Sequence, residues 1–471
     1  MGSVQWAQHL RSVNCSLFTV NCSLFTVFLA ASAAALGPHE LLVLANANST
    51  SSVTVARDYV RLRQVPDVNL VLLDVPRAAS VAPYEISTNA FTTMIWEPAQ
   101  RAIRERGLGD HILAWAYSID MPVRVKTDPL VSITGLTFVR NRLPPKDAIV
   151  GGLYASALFG GPESPATQGF PSQSLDNMRA WLGSDMPIPA MLLGFDGEHG
   201  NTRAEIEACL RRGRDSDGTA PDGTVYLITN SDVRTQCRLW QFPGVVRELR
   251  ALGVAATITN ALPAGGAPIA GVLHGLADLD LTGARTFAPG CMAEHLTSFG
   301  AVFDGGGQTK LTAWIRAGAT ASAGTVTEPF AIWSKFPHAR YFVHAAAGCT
   351  VMESFYQSVK CPLQLLPVGE PLAAPWRPAA RLTLTGMPEG PLSAPTLVSA
   401  AVRSKGDNLF NRFLFLMDGK TLQAAGKSAS VTLIPSSLTP GKHTLRAVAY
   451  AVGSVRHQAF AEVPFEVEGQ P

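Results

Sequence analysis

AEHLTSFGAVFDGGGQTKLTAWIRAGATASAGTVTEPF, from Ala293 to Phe330, is the stretch whose reading decides the fold. Segments of helical period around Glu294 and around Trp314 flank Gly305, Gly306 and Gly307. Ala319 to Gly324 is made of small residues and reads as a strand. A backbone of residues that small can turn tightly or approach another group closely, which makes this stretch a candidate site wall. PVGEPLAAPW closes the region at Trp376.

Upstream, apolar runs alternate with helical patterns. ELLVLANAN is a short strand ending in Asn46 and Asn48, VNLVLLDVP a second, and HILAWAYSIDMPVRV a third with its outgoing loop. A helix is predicted from about 93 to 106, with Pro98 tolerable only in its first turn. AMLLGFDG and VYLITNSD are further strands, and PGVVRELRALG is a helix closed by Gly253. Strands separated by helices predict an α/β fold with a mostly parallel sheet, in one domain or two fused halves, over residues 38–376. Ligands of such sheets bind at the strands' carboxyl ends. Residues 127–189, rich in Pro, Gly and Ser, read as an insertion with a short amphipathic helix from Leu175 to Leu182.

After Arg377 the period changes to two, with turns at Asp418-Gly419 and Pro440-Gly441. DGKTLQAAG and LTPGKHTLRAVA resemble bacterial immunoglobulin-like modules of cell-surface proteins, which implies a C-terminal immunoglobulin-like β-sandwich over 377–471. Such a module spaces or docks.

Residues 1–37 read as an export signal: Arg11 is followed by an apolar run to Leu36, with Ala33, Ala34 and Ala35 as small residues for cleavage. The tandem repeat of VNCSLFT lengthens the run, so an uncleaved membrane anchor is the alternative. The protein is expected outside the cytoplasm, in periplasm, on the cell surface or beyond. Of seven cysteines, two lie in the signal. The other five are an odd number, so at least one should be free, and Cys349 with Cys361 is a candidate pair. There is no CxxC and no HExxH, so no metal site and no cofactor is expected. A net charge of +2 gives no electrostatic reason to expect nucleic acid or an anionic membrane as partner.

Several blocks carry a family resemblance over about 40–376. They are the Asn-rich loop Asn46 to Ser49; Tyr117 with Pro122 and Arg124; Glu294 to Ser298; Thr327, Glu328 and Pro329; and Gly369 to Leu372. In this order they resemble a family of exported bacterial proteins, of unknown activity, found with exosortase-type protein-sorting systems. A more distant similarity is to the gingipain-type cysteine peptidases of the caspase-like fold. Those enzymes place His-Gly at the end of one strand and a nucleophilic cysteine at the end of the next, with an immunoglobulin-like domain behind. Here His274-Gly275 ends IAGVLHG and Cys291 follows ARTFAPG, which the resemblance implies as a catalytic pair. Imidazole beside a thiol would leave a competent thiolate.

Other candidates are polar residues of the predicted carboxyl ends. Asn46 and Asn48, Tyr117 and Asp120, His295 on a helix beside Glu294, Ser298 and Glu328 are expected to converge as a ligand-binding face. Asp196 in GFDG has similar standing, whereas Asn46 and Asn48 also suit bonds within their own loop. Asp278 and Asp280 lack a fuller calcium-ligand pattern, and Gly305 to Lys310 lacks phosphate-loop spacing. Two functions follow: an exported binding or accessory protein whose partner is a protein or polysaccharide of the envelope, or a caspase-like cysteine peptidase using His274 and Cys291.

Overall fold

The computed structural model describes residues 35–283, 285–404 and 409–469. The export signal predicted over 1–37 therefore lies almost wholly outside the described residues, among which no helix is long and apolar enough to cross a membrane.

In chain order the first part holds β1 (Leu41–Asn46), β2 (Leu70–Leu73), β3 (Glu85–Ser87), β4 (Ala114–Tyr117), β5 (Arg124–Lys126), β6 (Val131–Ser132) and β7 (Ala190–Leu192). Then follow β8 (Thr224–Ile228), β9 (Ala255–Thr259), β10 (Ile269–Gly275), β11 (Phe287–Leu296), β12 (Ala321–Thr325) and β13 (Leu365–Gly369). Ten of these form one mostly parallel sheet in the order β2-β1-β4-β7-β13-β12-β11-β10-β8-β9. Within β2-β1-β4-β7 and within β12-β11-β10-β8-β9 all pairings are parallel, while β13 runs antiparallel to β12 over five rungs. β7 meets β13 at one rung, Leu192 opposite Val368. That isolated rung has parallel geometry, but the loops show that both parallel groups end on one edge. Phe195, just past β7, stacks on Phe303, beyond β11, at 3.8 Å, and Arg124, the first residue of β5 in the segment after β4, pairs with Asp304 at 2.8 Å.

Helices cover both faces. Their starts follow local chemistry: Thr202 and Glu205 form a capping box over Arg203–Ser216, and Thr350 with Glu353 does the same over Val351–Ser358. The predicted helix near Pro98 is longer than expected, running from Thr88 to Glu105. A π-helical turn over Thr92–Trp96 precedes Pro98 and absorbs the backbone bond that the proline cannot make. Gly318, at φ +117°, ends the short helix Thr312–Ala317 and lets the chain enter β12.

Two expectations are corrected. Glu294 and His295 are strand residues of β11, because the segment is buried on both faces and its polar groups find tertiary partners. The segment read as an insertion is woven into the fold: β5 and β6 make a small sheet with β3, and the helix Ile133–Phe138 is fully buried. A Cβ at Gly135 would come within 2.2 Å of the Leu363 carbonyl oxygen, so only glycine allows this helix to sit there. The helix Leu175–Leu182 lies where the amphipathic pattern put it.

The C-terminal part has two antiparallel sheets. β14 (Ala380–Thr385), β15 (Thr396–Ser404), β16 (Phe410–Met417), β17 (Lys420–Gly426), β18 (Ser430–Leu433), β19 (Gly441–Ala451) and β20 (Gln458–Val467) pair as β14-β15-β18 and β17-β16-β19-β20. One apolar core holds residues of both sheets, such as Leu382, Val398, Phe415 and Ala447. The other face of the four-stranded sheet is also covered. There Tyr450 meets His39, Arg446 reaches the Gln64 carbonyl, and Arg412 and Arg456 reach Asp176. All five cysteines among the described residues are free, so Cys349 and Cys361 are not paired.

At the amino edge of the sheet Glu370 is fully buried and accepts from Tyr59 Oη at 2.7 Å and Arg63 Nε at 3.0 Å. Arg63 also pairs with Asp217, which Arg377 approaches at 3.5 Å. Removing one partner would strand a buried charge. Glu370→Ala should therefore lower the unfolding free energy by about 3–5 kcal/mol in urea titration. Asp58→Ala, which breaks the exposed pair with Arg61, should change it by less than about 1 kcal/mol. Equal effects would refute this reading of the network.

Candidate functional site

The expected face divides into two clusters on one edge. β1 and β10 are six strand spacings apart, roughly 29 Å at about 4.8 Å per spacing, so the Asn46 and His274 groups cannot share one small ligand.

In the first cluster Asn46 is fully buried and holds its own turn. Its Nδ2 donates to the Asp120 carbonyl at 3.0 Å, and its Oδ1 accepts from the Asn48 N–H at 3.0 Å. Asn48 Nδ2 donates to Asp74 Oδ1 at 2.7 Å. Asp120 sits at φ +55° and accepts from the Ser49 hydroxyl. These asparagines are scaffolding. Tyr117 is likewise not a ligand contact: it is fully buried in β4, with its hydroxyl 2.7 Å from Thr137 Oγ1, and burial raises its pKa. Asp196 beyond β7 is pushed up to about 6, first by burial and then by the charge of Asp120.

The second cluster contains the proposed catalytic pair, and the strand register separates it. His274 lies opposite His295, four residues beyond Cys291 on β11, which at about 3.3 Å per residue places the two rungs roughly 13 Å apart. Cys291 is 1% exposed among Ile269, Val272, Phe287 and Trp314, and burial pushes its thiol well above the usual range. It is a core residue in the middle of β11. The residues that end β11 beside His274-Gly275 are His295 and Leu296, and Thr297 and Ser298 follow directly.

His274 is 8% exposed, and its Nδ1 accepts from the Gly275 N–H at 2.8 Å. Burial and then the Arg238 charge push its pKa down to about 4, so at neutral pH the ring is uncharged with its hydrogen on Nε2. That nitrogen is a donor, whereas a general base would have to offer a lone pair. His295 is more enclosed. Its Nδ1 accepts from Trp314 Nε1 at 2.9 Å and its Nε2 donates to the Thr309 carbonyl at 3.0 Å, so it braces β11 against the neighbouring loop. Burial pushes its pKa down to about 3. The Thr297 hydroxyl donates to Gln308 Oε1 at 2.6 Å. The partly exposed Ser298 donates to Glu328 Oε1 at 3.1 Å, and exposed Glu328 also accepts from the Phe330 N–H at 2.8 Å.

Beneath this surface, Arg238 and Glu294 form an ion pair at 2.8 Å with both side chains at zero exposure. Arg238 also donates to the carbonyls of His274 and Pro337. Beside it Trp240 packs edge-on to Trp333 at 5.5 Å and to His338 at 5.3 Å. A cleft of about 510 Å³ opens next to Trp240. Sequence reasoning missed Arg238, Trp240 and His338. Arg238 and Glu294 share no local pattern, and Trp240 and Trp333 sit in three-residue 3-10 turns, too short for periodicity to show. No group of three or more His, Cys, Asp and Glu able to hold a metal ion occurs among the described residues.

No family model matches the chain, and no curated protein matches it. Among solved structures, it is similar to the fibronectin(III)-like modules of Clostridium thermocellum CbhA at 17% identity, over 23% of this chain and 54% of that one, with a TM-score of 0.17. The chain thus spans about half the length of that structure. It is also similar to the Clostridium perfringens spore cortex lytic enzyme SleM at 9% identity, over 76% of this chain and 92% of that one, with a TM-score of 0.19. Likenesses this slight carry no argument about activity.

The state of His274 is testable. With an unfolded pKa of about 6.5 and a folded value of about 4, its neutral burial stabilises the fold fully above pH ~6.5. That contribution is lost as pH falls through about 4. Nitrogen-resolved NMR should show a neutral ring with the hydrogen on Nε2 down to about pH 5.5. A ring titrating near pH 6.5 would contradict the assignment.

Proposed function

We propose that this chain is an exported protein of the bacterial envelope with a caspase-like core and an immunoglobulin-like module, and that it binds an envelope polymer without thiol catalysis. The observation that carries the reading is the end of β11. Where the peptidase resemblance implies a cysteine at the end of the strand beside His274-Gly275, β11 ends in His295-Leu296, and Thr297 and Ser298 follow. Both hydroxyls donate to side-chain oxygens, of Gln308 and Glu328, and the open nitrogen of His274 is a donor. Neither hydroxyl is arranged to lose its proton to this imidazole.

What remains is a binding surface. Ser298, Glu328 and the loops after β8, β10, β11 and β12 present polar groups where open α/β sheets hold ligands. The apolar run up to Leu36 supports export. The four-stranded sheet of the C-terminal part, packed on the first, suits a rigid spacer.

Retention on immobilised envelope material, separated into protein and polysaccharide fractions, tests the reading. The mature protein should bind one fraction. Ser298→Ala combined with Glu328→Gln should weaken binding by about tenfold, equivalent to roughly 1.4 kcal/mol, while Cys291→Ala leaves it unchanged. Peptide hydrolysis that disappears in Cys291→Ala would overturn it.

A further inference from the structure

The cleft beside Trp240 lies between the amino end of the helix Phe242–Ala251 and the loop containing residues 162–169. Three side chains in its lining are all but buried: Gln241 at 3%, His338 at 1% and Arg340 at 6%. Each carries a nitrogen without a hydrogen-bond partner, namely Gln241 Nε2, His338 Nε2 and Arg340 Nε. All three are donors. Gln241 Oε1 accepts from the Ala339 N–H at 3.0 Å, which fixes the amide with its NH₂ unpaired. His338 Nδ1 accepts from the Arg340 N–H at 3.0 Å, so in the neutral ring the hydrogen sits on Nε2. A guanidinium Nε only donates.

Three unpaired buried donors in one wall are costly unless an acceptor completes them. Two further features give that acceptor a sign. The cleft faces the positive end of a ten-residue helix. It also holds two arginines, Arg247 and Arg340, against one carboxylate, Glu248, which Arg340 approaches at 3.3 Å. Trp240 adds an aromatic wall, which suits a sugar ring better than an extended peptide. A volume of about 510 Å³ accommodates a ligand of one or two rings.

We propose that this cleft binds a uronate residue of an acidic polysaccharide, its carboxylate toward Arg340 and the helix end and its ring against Trp240. The proposal rests on the envelope-binding reading and narrows it to one ligand class.

The test is calorimetric titration of the mature protein with an oligogalacturonate, with the neutral galactose oligomer, and with a glutamate-rich peptide. Oligogalacturonate should bind and the neutral sugar should not. Trp240→Ala and Arg340→Gln should each weaken binding at least about tenfold. Because Arg340 is buried, Arg247→Ser on the exposed rim gives an independent reading, with an expected loss of about threefold to tenfold at low salt. Equal binding of the neutral sugar, binding of the peptide alone, or no binding of oligogalacturonate would overturn the proposal. If oligogalacturonate fails while envelope material is still retained, only this proposal falls. Loss of both removes the broader reading as well.

Discussion

Arg238 and Glu294 face each other entirely out of solvent, and the carboxyl edge of the second group of strands is built around them. Removing two charges from water is expensive, and attraction in the interior offsets this only when the geometry is close and the remaining donors are used. Arg238 meets that condition only in part. It also donates to the carbonyls of His274 and Pro337, but beyond the ion pair its Nε and both Glu294 oxygens have no hydrogen-bond partner, and burial pushes the Glu294 pKa up to about 7. Arg238 comes from the loop after β8, Glu294 from β11, His274 from β10 and Pro337 from the segment before the helix Tyr341–Ala346. One guanidinium therefore fixes four pieces of chain. The depressed pKa of His274 follows in part from the same charge. Gln241, three residues beyond Arg238, and His338, next to Pro337, take their places in the neighbouring cleft from the same anchor.

A second polar cluster does similar work at the opposite edge. Arg63, Glu370, Asp217 and Tyr59 tie the end of the first helix to the exit of β13, close to where the chain passes into the C-terminal sheets. The covered outer face of the four-stranded sheet extends that attachment. Both faces of the four-stranded sheet are thus packed, one on the three-stranded sheet and one on the first part of the chain.

Many of the strands were legible. Apolar runs such as Leu41–Asn46 and Thr224–Ile228 read as strands because buried parallel strands have little polar alternation to hide them. β11 was not legible as one strand. Pro289-Gly290 divides it, with Gly290 at φ +87° against Pro375, and Glu294-His295 imitates the polar side of a helix. The partners of those two residues, Arg238 and Trp314, come from elsewhere in the chain. That one error shifted the apparent strand end from Leu296 back to Cys291 and created the catalytic pair that the register separates. Tyr117 failed for a related reason: a tyrosine at a strand's carboxyl end looks available until Thr137, on a helix in the supposed insertion, occupies its hydroxyl.

The central claim is that Cys291 is a buried core residue of β11 and not a nucleophile at its end. It is tested most directly by the alkylation rate of Cys291, followed by peptide mass spectrometry in native and in urea-unfolded protein at neutral pH. The account predicts that native Cys291 reacts at least about a hundredfold more slowly than in the unfolded chain, as a buried, protonated thiol should. Native Cys291 reacting as fast as the unfolded thiol, or faster, would contradict it and return a nucleophile to this edge.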